Sequence, residues 1–270
     1  MQSDATSKND PYYSLLGEIQ SLGDGLTRKT LHLNKLIPRV HSGRAYNDAM
    51  GRFKYEINRL EDRYGVFVKN FAVSIANLAL KKTKQHWTKD KDIMVLWQKL
   101  AAIVENFSEH PTKKNAAFII NEVTGEMEAF SANRTPPGLK TKPSHHRPGI
   151  RKDFIVCAER LVIADFFKIS VRSYKGLPAA YRVQNLSRDL TLLGHHTKEL
   201  EGSYLYSPVI PCKLCSDVIV PYGFRGVISD PNGGKHFNAA RRESFEVTLR
   251  ALKTHKIQFL DFSRLMASPS

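Results

Sequence analysis

Three cysteines constrain this chain more than any other feature of its 270 residues. Two stand in Pro211-Cys212-Lys213-Leu214-Cys215 and the third in Cys157-Ala158-Glu159. Spacing of i and i+3 puts Cys212 and Cys215 on one face of a helix's first turn. Cys157 and Glu159 stand two apart where an apolar, strand-like run, "DFIVCAERLVIADFF", turns into a helix. Thiolates at such helix N-termini are favoured by the helix dipole. A Cys-x-x-Cys alone is ambiguous between a redox pair, half of a structural zinc site, and chance; a Cys-x-Glu alone says less. In this order, each at a strand-to-helix junction, they point to one site. Three thiols match the three protein ligands of a catalytic zinc whose fourth position stays open. A closed structural zinc would need a fourth ligand. His145, His146, His195, His196 and His236 are available, none at a diagnostic spacing.

Composition narrows the setting. Three cysteines do not make a disulfide framework in a chain this long. The polar N-terminus carries Asp4 and Asp10 and reads as no signal peptide, and no uncharged apolar run reaches the roughly 20 residues of a membrane span. The expectation is a cytoplasmic protein of a reducing compartment with no membrane partner. The net charge of +15 points to polyanions, whether nucleic acid, nucleotides or an acidic partner, against the plainer reading of a well-solvated basic surface. Residues 1–114 hold 19 Lys and Arg against 12 Asp and Glu, and residues 115–270 hold 22 against 14. The surplus is therefore spread over the surface rather than collected in a basic arm.

The chain divides by periodicity. From about residue 11 to 108 it reads as helix: Tyr13, Leu16, Ile19 and Leu22 recur at helical spacing, as do Phe53, Ile57 and Leu60. "FAVSIANLALKK" and "DIMVLWQKLAAIVENF" are apolar helical stretches expected to build core. After residue 115, "AAFIIN" and "MEAFSAN" read as a β-hairpin turned at Gly125. A basic, Pro-rich loop follows at 134–152. "SYLYSPVIPCKLCSDVIVPYG" reads as strand, turn and short helix, "RGVISD" as a strand, "RRESFEVTLRALKTHK" as a helix and "IQFLDF" as a final strand. Residues 172–202, with Gly176, Pro178 and Gly194, read as an insertion. This alternation predicts a mixed sheet with helices on both faces, parallel at its far edge.

These segments resemble the cytidine/deoxycytidylate deaminase superfamily of zinc-dependent nucleobase deaminases. Its signature is His/Cys-x-Glu followed by Pro-Cys-x-x-Cys, with the Glu not a ligand. "AAFIINEVTGEMEAFSANRTPPGL" is similar to the family's opening hairpin and pocket loop, "RKDFIVCAERLVIA" to its first zinc-binding helix, and "PCKLC" to its second. The resemblance covers roughly residues 94–263. It implies an α/β fold, a cytidine-deaminase-like three-layer α/β/α arrangement with a five-stranded mixed sheet. It also divides the chain into a helical accessory region, 1–90, and a catalytic domain, 91–265, interrupted at about 172–202. About 26 residues including a helix lie between "VISD" and "IQFLDF", so the last two strands run parallel, as in the deoxycytidylate-like branch. "NRTPPGL" at 133–139 resembles that branch's Asn-x-x-Pro-x-Gly loop. Two features depart from it: the first ligand is Cys157 rather than His, and 54 residues separate Cys157 from Cys212.

The resemblance implies zinc as cofactor, held by Cys157, Cys212 and Cys215. It implies Glu159 as the general acid–base that moves protons from water to the ring nitrogen and on to departing ammonia. Asn133 would hold the sugar or base edge and the Ala158 backbone N–H the base carbonyl. Arg160 would stand against the thiolates, as in members that read Cys-Ala-Glu-Arg. The expected substrate is a cytosine nucleotide such as dCMP, with a homo-oligomer as the expected assembly. The alternative is an editing enzyme that deaminates cytosine or adenine in single-stranded DNA or RNA, guided by region 1–90. A third class, a deaminase fold reused for binding, is disfavoured by the intact motif residues.

Overall fold

A computed structural model describes residues 10–35, 37, 43–82, 86–111, 113–139, 154–174, 176–231 and 239–267. The basic loop therefore lies outside the described residues from 140 to 153, and with it His145 and His146; His236 lies outside them too. The N-terminal third is helical, as its periodicity requires. Helix α1 (Pro11–Lys35) begins with Pro at its first position and Asp10 before it, whose side chain accepts from the Tyr12 N–H at 2.9 Å. Tyr12, Ile19, Leu26 and Thr30 form its buried stripe. Helix α2 (Arg44–Lys82) follows, then α3 (Lys91–Val104), capped by Asp90, whose carboxylate accepts from Asp92 N and Ile93 N.

Strands β1 (Ala116–Ile120) and β2 (Met127–Ala132) form the expected hairpin. Its turn places Gly125 at φ +68, in the left-handed region that favours glycine, while the Asn121 carboxamide accepts from the Val123 and Thr124 N–H groups. Helix α4 (Ala158–Phe166) precedes α5 (Ala179–Gly194), β3 (Tyr204–Val209), α6 (Lys213–Ile219), β4 (Gly226–Asp230), α7 (Ala239–Thr254), β5 (Gln258–Asp261) and α8 (Phe262–Ala267). The sheet order is β2-β1-β3-β4-β5. β1 is antiparallel to β2 and β3, and β3, β4 and β5 are parallel, as the helix-bearing connection before β5 demands.

Alternation along β1 sorts the core into two layers. Ala116, Phe118 and Ile120 pack with α1, α2 and α3, while Ala117 and Ile119 pack with α4, α5 and α6. All five β1 residues are buried because both faces are covered. The five-stranded mixed sheet between helical layers, with a helical N-terminal region, matches the predicted architecture. Residues of α1 and α2 share one hydrophobic cluster with α3 and the sheet. Two local expectations change. The strand-like run before Cys157 forms only a single bridge, Val156 to Arg134, before turning into α4. The insertion at 172–202 is built chiefly of the 16-residue α5. Among the described residues, no helix is long and apolar enough to cross a membrane.

Candidate metal centre

Two helix starts build the centre. Cys157 is the N-cap of α4 and Cys212 the N-cap of α6, both with extended backbone and neither side chain making a capping hydrogen bond. Cys215 follows in the first turn of α6 and is fully buried. The cysteines thus sit at helix starts, where the N-terminal partial positive charge favours a thiolate. The three Sγ atoms lie within 4.8 Å of one another, and Cys212 and Cys215 are 3.5 Å apart. Zn–S bonds of about 2.3 Å in tetrahedral geometry set sulfurs about 3.8 Å apart, so this group fits zinc in both spacing and ligand softness. No histidine joins it among the described residues; His195 and His196 are exposed in the turn after α5.

The thiols perturb one another. Cys212 is pushed well below the usual thiol range because Cys157 and Cys215 offer S–H groups to its sulfur. Those two are correspondingly pushed up, with burial adding to the effect. Glu159 lies beneath the cluster, 3% exposed, with Oε2 3.9 Å from Cys215 Sγ. Burial, reinforced by the neighbouring Cys157 charge, pushes its carboxyl up to about 8. Arg160 is buried beside the cluster, its Nη2 4.0 Å from Cys157 Sγ, while its Nη1 donates to Ser187 Oγ at 2.6 Å. Despite its own burial, the thiolates hold its guanidinium firmly charged. The arginine therefore sits where it offsets the negative sulfurs. Ser187 comes from α5, so the inserted helix forms part of the wall around the centre.

The other expected residues sit close by. Ala158 is buried at the first position of α4, between Cys157 and Glu159. Asn133 is 8% exposed, but its amide serves the chain: Oδ1 accepts from Ser108 Oγ at 2.7 Å and Asn115 N at 2.8 Å, and Nδ2 donates to Lys113 O at 2.7 Å. It thus ties Ser108, Lys113 and Asn115 to the end of β2. Arg134 ties three elements together, pairing with Glu61 of α2 and, at 3.1 Å, with Asp165 of α4.

Three residues the sequence reading did not single out surround Glu159 and Arg160. Asn115 Nδ2 donates to Glu159 Oε1 at 3.2 Å. Ser207, fully buried in β3, has its Oγ 3.3 Å from the same oxygen and 2.9 Å from Val209 O. Ser187 is the third. A polar residue inside the apolar run "YLYSPV" was the available signal for Ser207, and a polar residue just before "AAFII" the signal for Asn115. Ser187, on the solvated pattern of α5, gave none.

No protein-family model matches the chain, and no curated protein matches it in sequence. Two solved structures are similar over part of it: the dCMP deaminase from the cyanophage S-TIM5 in apo form, and the same enzyme in complex with dCMP and dUMP. Each is 17% identical, with 64% of this chain and 98% of the other covered, at TM-scores of 0.38 and 0.39. Likeness at that level leaves the chemistry of the centre to be read from its own side chains.

Proposed function

We propose that this chain is a zinc-dependent hydrolytic deaminase that converts a cytosine nucleotide of the dCMP kind to its uracil counterpart, with residues 91–265 as the catalytic unit and the helical region 1–90 as an accessory. The observation that carries the proposal is the buried carboxylate of Glu159 lying against three converging thiols from two helix starts. Zinc bound by the three cysteines would supply a Lewis acid that makes water a nucleophile at neutral pH. Glu159 has one oxygen tied back by Asn115 and Ser207 and the other facing the sulfurs. That free oxygen is placed to take a proton from water, pass one to the ring nitrogen and deliver one to the departing amine. A carbon–oxygen bond replaces the exocyclic carbon–nitrogen bond, ammonia leaves, and no redox partner is needed. Arg160, beside Cys157 Sγ, would offset the net negative charge of three thiolates around a divalent ion. The Ala158 N–H, in the first turn of α4 beside Glu159, would donate to a base carbonyl. Asn133 supports the pocket through Asn115.

A second reading, deamination of single-stranded nucleic acid, is favoured by the +15 charge and by solvent-facing Tyr13 and Phe67 in a groove between α1 and α2 that also holds Lys29. Zinc-loaded protein offered dCMP, CMP, cytidine and single-stranded oligonucleotides separates the two. Ammonia release from a mononucleotide is expected. Turnover confined to oligonucleotides, weakening steeply with salt, would favour the second reading. Glu159→Ala should retain zinc and lose turnover by at least about a thousandfold. A fully active variant would remove Glu159 from its role.

A further inference from the structure

Asn115 has an orphan. Its Nδ2 donates to both Glu159 Oε1 and Ser207 Oγ, each at 3.2 Å. Its Oδ1 is buried and, among the described residues, meets no hydrogen-bond partner. Ser207 Oγ gives its own proton to Val209 O at 2.9 Å and so accepts from Asn115, which turns the N–H₂ end of the amide toward Ser207 and Glu159 and leaves the carbonyl end unmatched. A buried acceptor left in that condition costs free energy, which a ligand donor would recover. The backbone does not allow the side chain to drift. Asn115 N donates to Asn133 Oδ1 at 2.8 Å, and Asn115 O accepts from Asn133 N at 3.2 Å. The residue is pinned on the last turn of chain before β1, with Glu159 on one side.

From this geometry we infer that Asn115 is the residue that reads the substrate's amino group: Nδ2 fixes the Glu159 carboxylate, and Oδ1 accepts a hydrogen bond from an exocyclic N–H of the base. The same amide then couples recognition to chemistry. The leaving amine is held beside the carboxylate that will protonate it, and Oε1 is kept occupied so that Oε2 does the proton transfer. A base with an exocyclic carbonyl oxygen in place of the amine offers no donor there and faces the Oδ1 lone pairs. The centre thereby distinguishes amino-bearing substrate from oxo-bearing product.

The inference rests on the deaminase reading, and the two fail separately. Ammonia release by the wild-type chain tests that reading. Asn115 is tested by binding in a zinc-loaded Glu159→Gln background, in which turnover stops and the side chain keeps an acceptor for Nδ2. Calorimetric titration with dCMP and dUMP should show a preference for dCMP that falls about tenfold when Asn115→Ala or Asn115→Ser is added. Zinc stoichiometry and the unfolding midpoint should stay at the background value, which separates this role from a structural one. Asn115→Ser keeps a small polar group at the start of the strand should the alanine variant not fold. A dCMP-to-dUMP affinity ratio unchanged in either folded, zinc-bearing variant, or no binding of dCMP by the background protein, overturns the inference.

Discussion

At the scale of single residues, the centre depends on how three thiols share charge. Cys212 is the thiol pushed down because its neighbours donate to it, and Cys215 is the member with no solvent contact. Serine is a poor ligand for zinc, so Cys215→Ser should reduce bound zinc from one equivalent to near zero, read by mass spectrometry of the native protein. Activity should fall at least about a hundredfold with it. Full zinc occupancy in that variant would take Cys215 out of the ligand set. The Cys-x-Glu and Cys-x-x-Cys residues were all legible in the sequence, because their spacing is local and the helix turn fixes which face they share. Asn115 and Ser207 were not, because what makes them matter is Glu159, contributed by a segment 44 and 48 residues away.

At the scale of elements, α5 gains a purpose. The sequence reading left residues 172–202 as an insertion; the helix it forms packs against α4 and α6 and brings Ser187 to Arg160. A buried guanidinium that loses a partner is free to swing from the sulfurs, so Ser187→Ala should weaken catalysis by about three- to tenfold. Because Ser187 acts through Arg160, the loss should vanish in an Arg160→Ala background, a non-additivity that a double-mutant cycle reads directly. Equal losses in both backgrounds would mean that Ser187 acts elsewhere. The parallel arrangement of β3, β4 and β5 was legible because a helix between two strands of one sheet sets their direction. Whether the segment before Cys157 would be a strand was not, since one backbone bridge to Arg134 replaces a ladder there.

For the whole molecule, pH couples to stability through a group remote from the thiols. Glu105, at the end of α3, is pushed up to about 7 by burial, an effect that Lys114 only partly offsets, and Tyr206 is raised by its own burial and then by Glu105. Between its ordinary value near 4.5 and about 7, the folded chain keeps a proton that the unfolded chain has lost. Stability from this group therefore falls as pH rises through that window, and above it the full cost, about 3 kcal/mol, is present. Glu105→Gln should match the wild type near pH 4 and exceed it by up to about 3 kcal/mol near pH 8, measured by denaturant unfolding. Parallel pH profiles for the two proteins would show that Glu105 ionises normally.

By itself, the sequence determined which residues could serve a metal and the order of helices and strands that would carry them. Both follow from short-range geometry, the 3.6-residue turn and the two-residue pleat, which need no knowledge of distant partners. Only the tertiary structure decided what surrounds those residues. Side chains from β1's approach, β3 and α5 meet Glu159 and Arg160 through packing of segments far apart in the chain, and no local pattern records such a meeting. The cysteines were written in the sequence; the amide and hydroxyls that orient the chemistry around them were decided by the fold.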